Sequence, residues 1–300
     1  MKSEWWGMTC QAKDLSIEPA PRAVRRAGIL THPRLPASAE LARDFVARLT
    51  AMGVAAEAAP QGMAESCWLA AVDCLIVLGG DGSIVRAARA VAGTGVPVLG
   101  INLGQLGFLA ELQPADVDGQ LEALARGEYR VERRALLRAT LTRANGETAT
   151  FDALNDAVMA RGAKVRVIGV FISIDGQPFT VYRADGVIVA TPTGSTAYAL
   201  AVGGPIMAPA LDNLLVVPVA PHLVPTRALV VPGSSAIRLE MGKDYEGVLA
   251  VDGQLDQPIS GGDVVNVTVS PKCVGFVRFG PPADFYGTLF RRLRWASHNK

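Results

Sequence analysis

The sequence lacks a charge bias: 29 Lys and Arg stand against 28 Asp and Glu, for a formal net charge of +1. That balance gives no electrostatic case for a dedicated nucleic-acid binder. It also lacks any apolar run near the roughly 18 residues of a membrane span. The opening MKSEWWGMTCQAKD has no apolar core of a signal-peptide kind, and residues 1–25 are expected to form a flexible extension. Cysteine is scarce and unpaired in pattern. Cys10, Cys67, Cys74 and Cys273 form no CxxC, and His32, His222 and His298 lie far apart, so disulfide and zinc readings lose to ordinary thiols in a reducing cytoplasm. Three catalytic signatures are missing as well. No G-x-x-x-x-G-K-[ST] occurs, the glycine cluster near residue 80 does not complete G-x-G-x-x-G, and neither Ser83 nor Ser195 sits in G-x-S-x-G. A P-loop enzyme, an ordinary dehydrogenase and an α/β-hydrolase are thereby disfavoured.

Half of the residues are hydrophobic and 19% are charged, which describes a folded chain, and 300 residues suit about two domains. Up to about residue 130 the pattern alternates strand and helix. Ala27–Leu30 reads as a strand, and Ala39–Met52 as a helix with Leu41, Phe45, Leu49 and Met52 on one face. Strands at 54–58, 75–78 and 96–101 follow, with a helix after Asp81. This rhythm predicts a doubly wound parallel sheet with helices on both faces, and such sheets place their sites at the carboxyl ends of strands.

The segment LIVLGGDGSIVR, residues 75–86, is the first place to look. Glycines between a strand and a helix let a ligand approach the backbone, and a helix N-terminus favours anions. A carboxylate at Asp81 would repel a phosphate, so it needs either a structural reason, capping the next helix, or a chemical one.

Beyond residue 133 the pattern becomes mostly β. Turns at Asn145–Gly146 and Asp175–Gly176 separate short strand-like runs, which predicts a sandwich-like second domain over 133–281. Within it, Leu154-Asn155-Asp156 sets two polar side chains in an apolar strand. An Asn–Asp pair suits an adenine edge and a ribose hydroxyl; the plain alternative is a solvated edge strand. The stretch DGVIVATPTGSTAYALAVGGP at 185–205 runs strand, polar turn, helix, and its hydroxyls and N–H groups suit a pyrophosphate. Asp252-Gly253-Gln254 by itself is just a turn. The tail FYGTLFRRLRW, 285–295, has helical apolar spacing. It reads as a docked amphipathic helix that returns within 282–300 to complete the α/β domain of 26–132, rather than as a helix for membrane or nucleic acid.

Taken together, GGDGS at 79–83, NLGQLGFLAE at 102–111, LND at 154–156, the 185–205 stretch, APHLVPTRALVVP at 220–232, DGQ at 252–254 and the 285–295 tail closely resemble the NAD kinase family. GGDG is shared with lipid kinases, whereas 185–205 is highly specific. The departures are slight: Ser83 for a usual Thr, Asp156 for a common Glu, and Ala201 for a frequent Ser.

The resemblance implies transfer of the γ-phosphoryl group of ATP, or of polyphosphate, to the adenosine ribose 2′-hydroxyl of NAD. Asp81 would accept the proton that hydroxyl sheds. The resemblance also implies that Asp81, Gly82 and Arg86 contact NAD or donor phosphate, and that Asn155 and Asp156 hold the adenosine. Arg166, Arg183, Asp185 and Thr193 would line the dinucleotide site, completed by Thr196, Ala197, Tyr198, Ala199, Leu200, Ala201 and Gln254. A divalent ion, naturally magnesium, would travel with the substrate phosphates, and no residue is assigned as its ligand. A cytoplasmic homodimer or homotetramer is expected, without nucleic-acid or membrane partners. A GGDG-type lipid kinase and a non-catalytic NAD(H)-binding regulator remain as alternatives. The polar 191–196 turn argues against the first, and an intact Asp81 against the second.

Overall fold

Strands β1 (Arg26–Thr31) and β2 (Ala55–Pro60) flank helix α1 (Pro36–Ala51), and α2 (Ser66–Ala71), β3 (Cys74–Leu78), α3 (Asp81–Val91), β4 (Val98–Ile101) and α4 (Gln120–Arg126) follow. The computed structural model describes residues 22–62, 66–104, 107–163, 166–222 and 227–293. The expected N-terminal extension up to residue 21, Gln105 and Leu106 of the 102–111 motif, residues 223–226 of the 220–232 motif and the tail from 294 lie outside that description. By its internal contacts the chain divides into two units: 22–133 with 274–293, and 134–273.

In the first unit the strands lie in the order β2-β1-β3-β4, and each neighbouring pair is parallel. Parallel pairing follows from the helical crossovers, which return the chain to the same end of the sheet. β3 is buried along its whole length, as a strand covered on both faces must be. Phe45 and Leu49 of α1 and Leu121 and Leu124 of α4 pack with Ile29, Ile76, Leu78 and Leu99 in one core. Leu41 and Met52 pack at its margin. Helix α1 begins at Pro36, three residues earlier than its apolar spacing predicts, because proline is well suited to the first turn.

β5 (Arg130–Thr142) leads from the first unit into the second, which holds β6 (Thr148–Ala153), β7 (Asp156–Arg161), β8 (Ile168–Ile174), β9 (Gln177–Ala184), β10 (Gly186–Ala190), α5 (Tyr198–Ala201), β11 (Asn213–Val219), β12 (Leu229–Pro232), β13 (Ile237–Met241), β14 (Glu246–Val251), β15 (Leu255–Ser260) and most of β16 (Val264–Arg278). Helix α6 (Asp284–Leu293) ends the described chain in the first unit. In the second unit, one antiparallel sheet runs β12-β11-β10-β7-β14-β15, and the other contains β16-β13-β8-β9. Their inward side chains, among them Met159, Val189 and Leu249 from the first sheet and Ile172, Leu239 and Val265 from the second, share one core. β13 shows the rule: Ile237, Leu239 and Met241 are buried while Arg238 and Glu240 face outward.

Several elements differ from the sequence expectation. The run 148–159 is two strands, broken at Leu154–Asn155, and the turn at Asp252 joins an unforeseen hairpin, β14 to β15. The helix expected at 196–202 is a 3₁₀ turn at Gly194–Thr196 followed by the single short turn of α5.

Candidate functional site

The first cluster sits where β3 ends. Gly79 N–H donates to the Ile101 carbonyl at 3.0 Å, tying the glycine loop to the end of β4. Gly80 is the N-cap of α3 and Asp81 its first helical residue, an acidic side chain in the first turn. The carboxylate turns to the 107–109 loop, accepting from Phe108 N–H at 2.6 Å and Leu109 N–H at 3.2 Å. This approach needs a glycine at position 107, since a β-carbon there would collide with the Asp81 carboxylate. The Asp81 carboxylate is thus bonded to the 107–109 loop rather than to its own helix.

Burial raises the Asp81 pKa, opposed in turn by the Leu109 N–H, the charge of Arg292, the Ala110 backbone and the charge of Arg278. Two of the loop glycines face open space: a β-carbon at Gly80 or Gly82 would meet nothing within 4 Å among the described residues. Neither has a positive φ, so the protein's own backbone does not demand glycine there. Their small size leaves room for something else to approach. Arg86, one turn along α3, is exposed and leans on Gln61 Oε1 at 3.4 Å and Ser83 Oγ at 3.5 Å.

The second cluster lies within the antiparallel unit. Asp156 opens β7, which pairs on both sides with β10 and β14, so the solvated-edge alternative for 154–156 is excluded. Its side chain is only 4% exposed. The turn at Asp252 holds this segment. Its carboxylate accepts from Leu154, Asn155 and Asp156 N–H groups at 2.9, 2.7 and 3.1 Å. Asp252 itself adopts a left-handed φ of 53°, unusual for a residue with a side chain. From the other side, the Thr191 hydroxyl donates to the Leu154 carbonyl at 2.6 Å and Thr191 N–H to the Asn155 carbonyl at 2.9 Å. Gly194 packs so tightly on Asn155 that any β-carbon would strike the Asn155 backbone. Burial, then the neighbouring Asp252 charge, pushes the Asp156 carboxyl up to about 7.

The hydroxyls of the 191–196 turn are engaged within the protein. The Ser195 hydroxyl bonds to the Pro192 carbonyl and Met207 N–H, and the Thr196 hydroxyl to the Thr193 carbonyl. Thr193 Oγ1 accepts from buried Arg134 at 3.2 Å. These hydroxyls satisfy the turn itself, and four residues of α5 are too few to build a substantial helix dipole. Ala199 is fully buried among Ile188, Leu215 and Val217, and its carbonyl is taken by Gly204 N–H at 2.8 Å. Tyr198 and Ala201 are exposed, while Thr196, Ala197 and Leu200 are partly exposed.

The arginines anticipated from sequence are more peripheral. Arg166 is exposed and lies over the Tyr245 ring at 5.3 Å. Arg183 is exposed on β9, the outermost strand of its sheet. Asp185 pairs with Arg161 at 3.1 Å. Gln254 follows the Asp252 turn, with its N–H bonded to the Val251 carbonyl at 3.0 Å.

A sequence model of the ATP-NAD kinase N-terminal domain matches residues 28–129, and one of the ATP-NAD kinase C-terminal domain matches 154–279. The chain belongs to the NAD kinase family. It is accordingly a phosphotransferase. The NAD kinase of Dehalococcoides mccartyi strain BAV1 is 36% identical over 279 residues, 90% of this chain and 96% of that one. The NAD kinase of Symbiobacterium thermophilum is 44% identical over 237 residues, 79% and 82% of the two chains. Among solved structures, yeast NADH kinase complexed with NADH is similar with a TM-score of 0.84 at 25% identity, over 93% of this chain and 90% of that one. An Archaeoglobus fulgidus NAD kinase shares the fold, with a TM-score of 0.72 at 24% identity over 90% and 98% of the two chains.

Within this NAD kinase, sequence reasoning passed over Gly107, Arg134, Asp252, Arg278 and Arg292. Gly107 and Asp252 stood in quoted motifs, and their adjacency to Asp81 and to Asn155–Asp156 is purely tertiary. Arg278 lies in no motif. Its guanidinium donates to the Leu109 carbonyl at 3.1 Å and pairs with Glu111 at 3.0 Å and Glu132 at 3.3 Å.

Proposed function

We propose that this chain transfers the γ-phosphoryl group of ATP to the 2′-hydroxyl of the adenosine ribose of NAD, giving NADP and ADP. The observation that carries the reading is the seat of Asp81, a half-buried carboxylate just beyond the end of β3 that accepts from two N–H groups of the 107–109 loop. As the 2′-oxygen bonds to the γ-phosphorus, the bond to the ADP oxygen breaks and the hydroxyl proton passes to an Asp81 oxygen. Open Gly80 and Gly82 let phosphates approach the start of α3, whose N–H groups and dipole favour anions. Arg86 stands on the same helix to meet donor charge.

Asn155 and Asp156 are proposed to hold the adenosine, the amide reading the base edge and the carboxyl a ribose hydroxyl. Arg166, Arg183, Asp185, Thr193, Thr196, Ala197, Tyr198, Ala199, Leu200, Ala201 and Gln254 remain proposed contributors to the dinucleotide site. Thr193 and Thr196 act there by shaping the turn.

Among the described residues no three His, Cys, Asp or Glu side chains converge on a metal site. Magnesium would travel with the donor phosphates and screen their charge. A homodimeric or homotetrameric assembly and a cytoplasmic setting go with this reading, drawn from the family resemblance. No described helix is long and apolar enough to cross a membrane.

The test is NADP formation by purified protein with Mg²⁺, crossing ATP and polyphosphate as donors with NAD and NADH as acceptors. NADP from ATP and NAD is the expected product. NAD binding without turnover would indicate a regulator, and phosphorylation of a diacylglycerol-type alcohol instead would indicate the lipid-kinase alternative.

A further inference from the structure

Asp81 lies beside two arginines that its motif does not contain, and the two differ in how their charge is spent. Arg278 is neutralised twice over by Glu111 and Glu132. Arg292, on α6, has no acidic partner among the described residues, and its Nε and Nη1 are buried without a hydrogen-bond partner. Its guanidinium lies over the Phe108 ring, 4.6 Å from the centroid, and Phe108 is the residue whose N–H grips the Asp81 carboxylate at 2.6 Å. A cation on an aromatic face is favourable, the more so when desolvated. The stack therefore fixes both the loop that orients Asp81 and an unspent positive charge beside it.

We propose that Arg292 is a positioning residue for the transfer, which holds the Phe108 loop against Asp81 and sets a positive charge beside that carboxylate. The inference rests on the reading of Asp81 as proton acceptor. The fields agree with the geometry in both directions: Arg292 opposes the burial that raises Asp81. Burial lowers Arg292 to about 10, against the opposing pull of Asp81. The other ionisable groups around this point are few. His32, at the end of β1, comes near Gly79. Arg86 projects from α3, Glu111 and Glu132 are engaged with Arg278, and Arg291 adjoins Arg292 on α6. Arg292 is the one among them that supplies uncompensated charge through direct contact with the loop on Asp81. In sequence it is one basic residue in FRRLR, indistinguishable from a solvated neighbour such as Arg291.

The experiment is the pH profile of kcat at saturating ATP and NAD for the full-length protein, Arg292→Met, Arg292→Lys and Asp81→Asn, each with a thermal melt. Removing an opposite charge makes a carboxyl harder to ionise, so the acid limb of kcat should move up in Arg292→Met by on the order of one pH unit. Arg292→Lys should return it toward wild type. Arg292→Gln replaces the Met variant if that variant does not fold. An unmoved limb, a limb that Lys does not restore, or a KM for ATP raised with the limb unchanged overturns the inference; the last would make Arg292 a donor-phosphate ligand. Failure of both neutral variants to fold while Lys folds overturns it too, since the charge would then serve the fold. Failure of the underlying reading looks different: Asp81→Asn would keep its turnover.

Discussion

Each unit buries one aspartate that matters, and their surroundings are opposite. Asp81, in the parallel α/β unit, receives two backbone N–H groups and has Arg292 and Arg278 as charged neighbours. Asp156, in the antiparallel unit, is more deeply buried and has another carboxylate, Asp252, as its charged neighbour. Burial raises both. Positive charge opposes the rise at Asp81, whereas negative charge adds to it at Asp156, pushed up to about 7. The same side chain thus meets two environments: positive charge works against burial at one carboxylate, and a second carboxylate works with burial at the other. The deeper lesson is that the backbone sets the second environment. Asp252 is placed to hold three N–H groups of 154–156, and its charge beside Asp156 comes with that task.

The comparison breaks most sharply at Asp81. Asp81→Asn keeps size and loses basicity, so kcat should fall about 10²–10⁴-fold with NAD binding little changed. Turnover within a few-fold of wild type would reduce Asp81 to a loop anchor.

Next in size is a stability effect at the other aspartate. The folded pKa of Asp156, about 7, lies above the unfolded value of about 3.9. Stability tied to its protonated form is complete below about pH 4 and is lost as pH rises toward 7. Asp156→Asn, which cannot ionise, should therefore melt higher than wild type at pH 8, by at most about 4 kcal/mol, and equally at pH 4. An equal difference at both pH values would mean that Asp156 is not raised.

Binding should show the same division. Asn155→Ala and Asp156→Ala should each raise the NAD KM by about 1–3 kcal/mol through an unpaired substrate group, which saturation kinetics at fixed ATP would measure. Unchanged KM in both would free this pair from the adenosine.

The finest probe is Asp252→Asn. Without the neighbouring charge, Asp156 should titrate lower, and the pH dependence of the NAD KM should shift downward by about one unit. The acid limb of kcat, which reports Asp81, should stay where it is. Movement of both limbs would show that the two aspartates are not independent.

Much of this was legible along the chain. The buried run 74–78, the glycines after it and the amphipathic helix over Phe45 and Leu49 obey local rules, because burial on both faces and helical period leave direct marks in sequence. The Asn155–Asp156 pair stood out because polar residues in an apolar run need a reason. The illegible parts were those where one segment serves another. Ser195 and Thr196 look like ligands on paper, yet their hydroxyls close their own turn. Ala199, in the middle of that stretch, turns out to pack from α5 against Ile188, Leu215 and Val217 of the sheet. Asp252 looks like an ordinary turn residue until its carboxylate is seen nearly a hundred residues away on Asn155.

What the sequence by itself determined is therefore the alternation that makes the parallel sheet, the change to antiparallel strands beyond residue 133, and the family, since each is written in period, turn chemistry or contiguous motif. Only the tertiary structure decided what surrounds Asp81 and Asp156. A carboxyl's ionisation depends on the solvent it loses and on the charges within a few ångströms. Phe108, Arg278 and Arg292 about Asp81, and Asp252 about Asp156, come from segments that no local rule brings together.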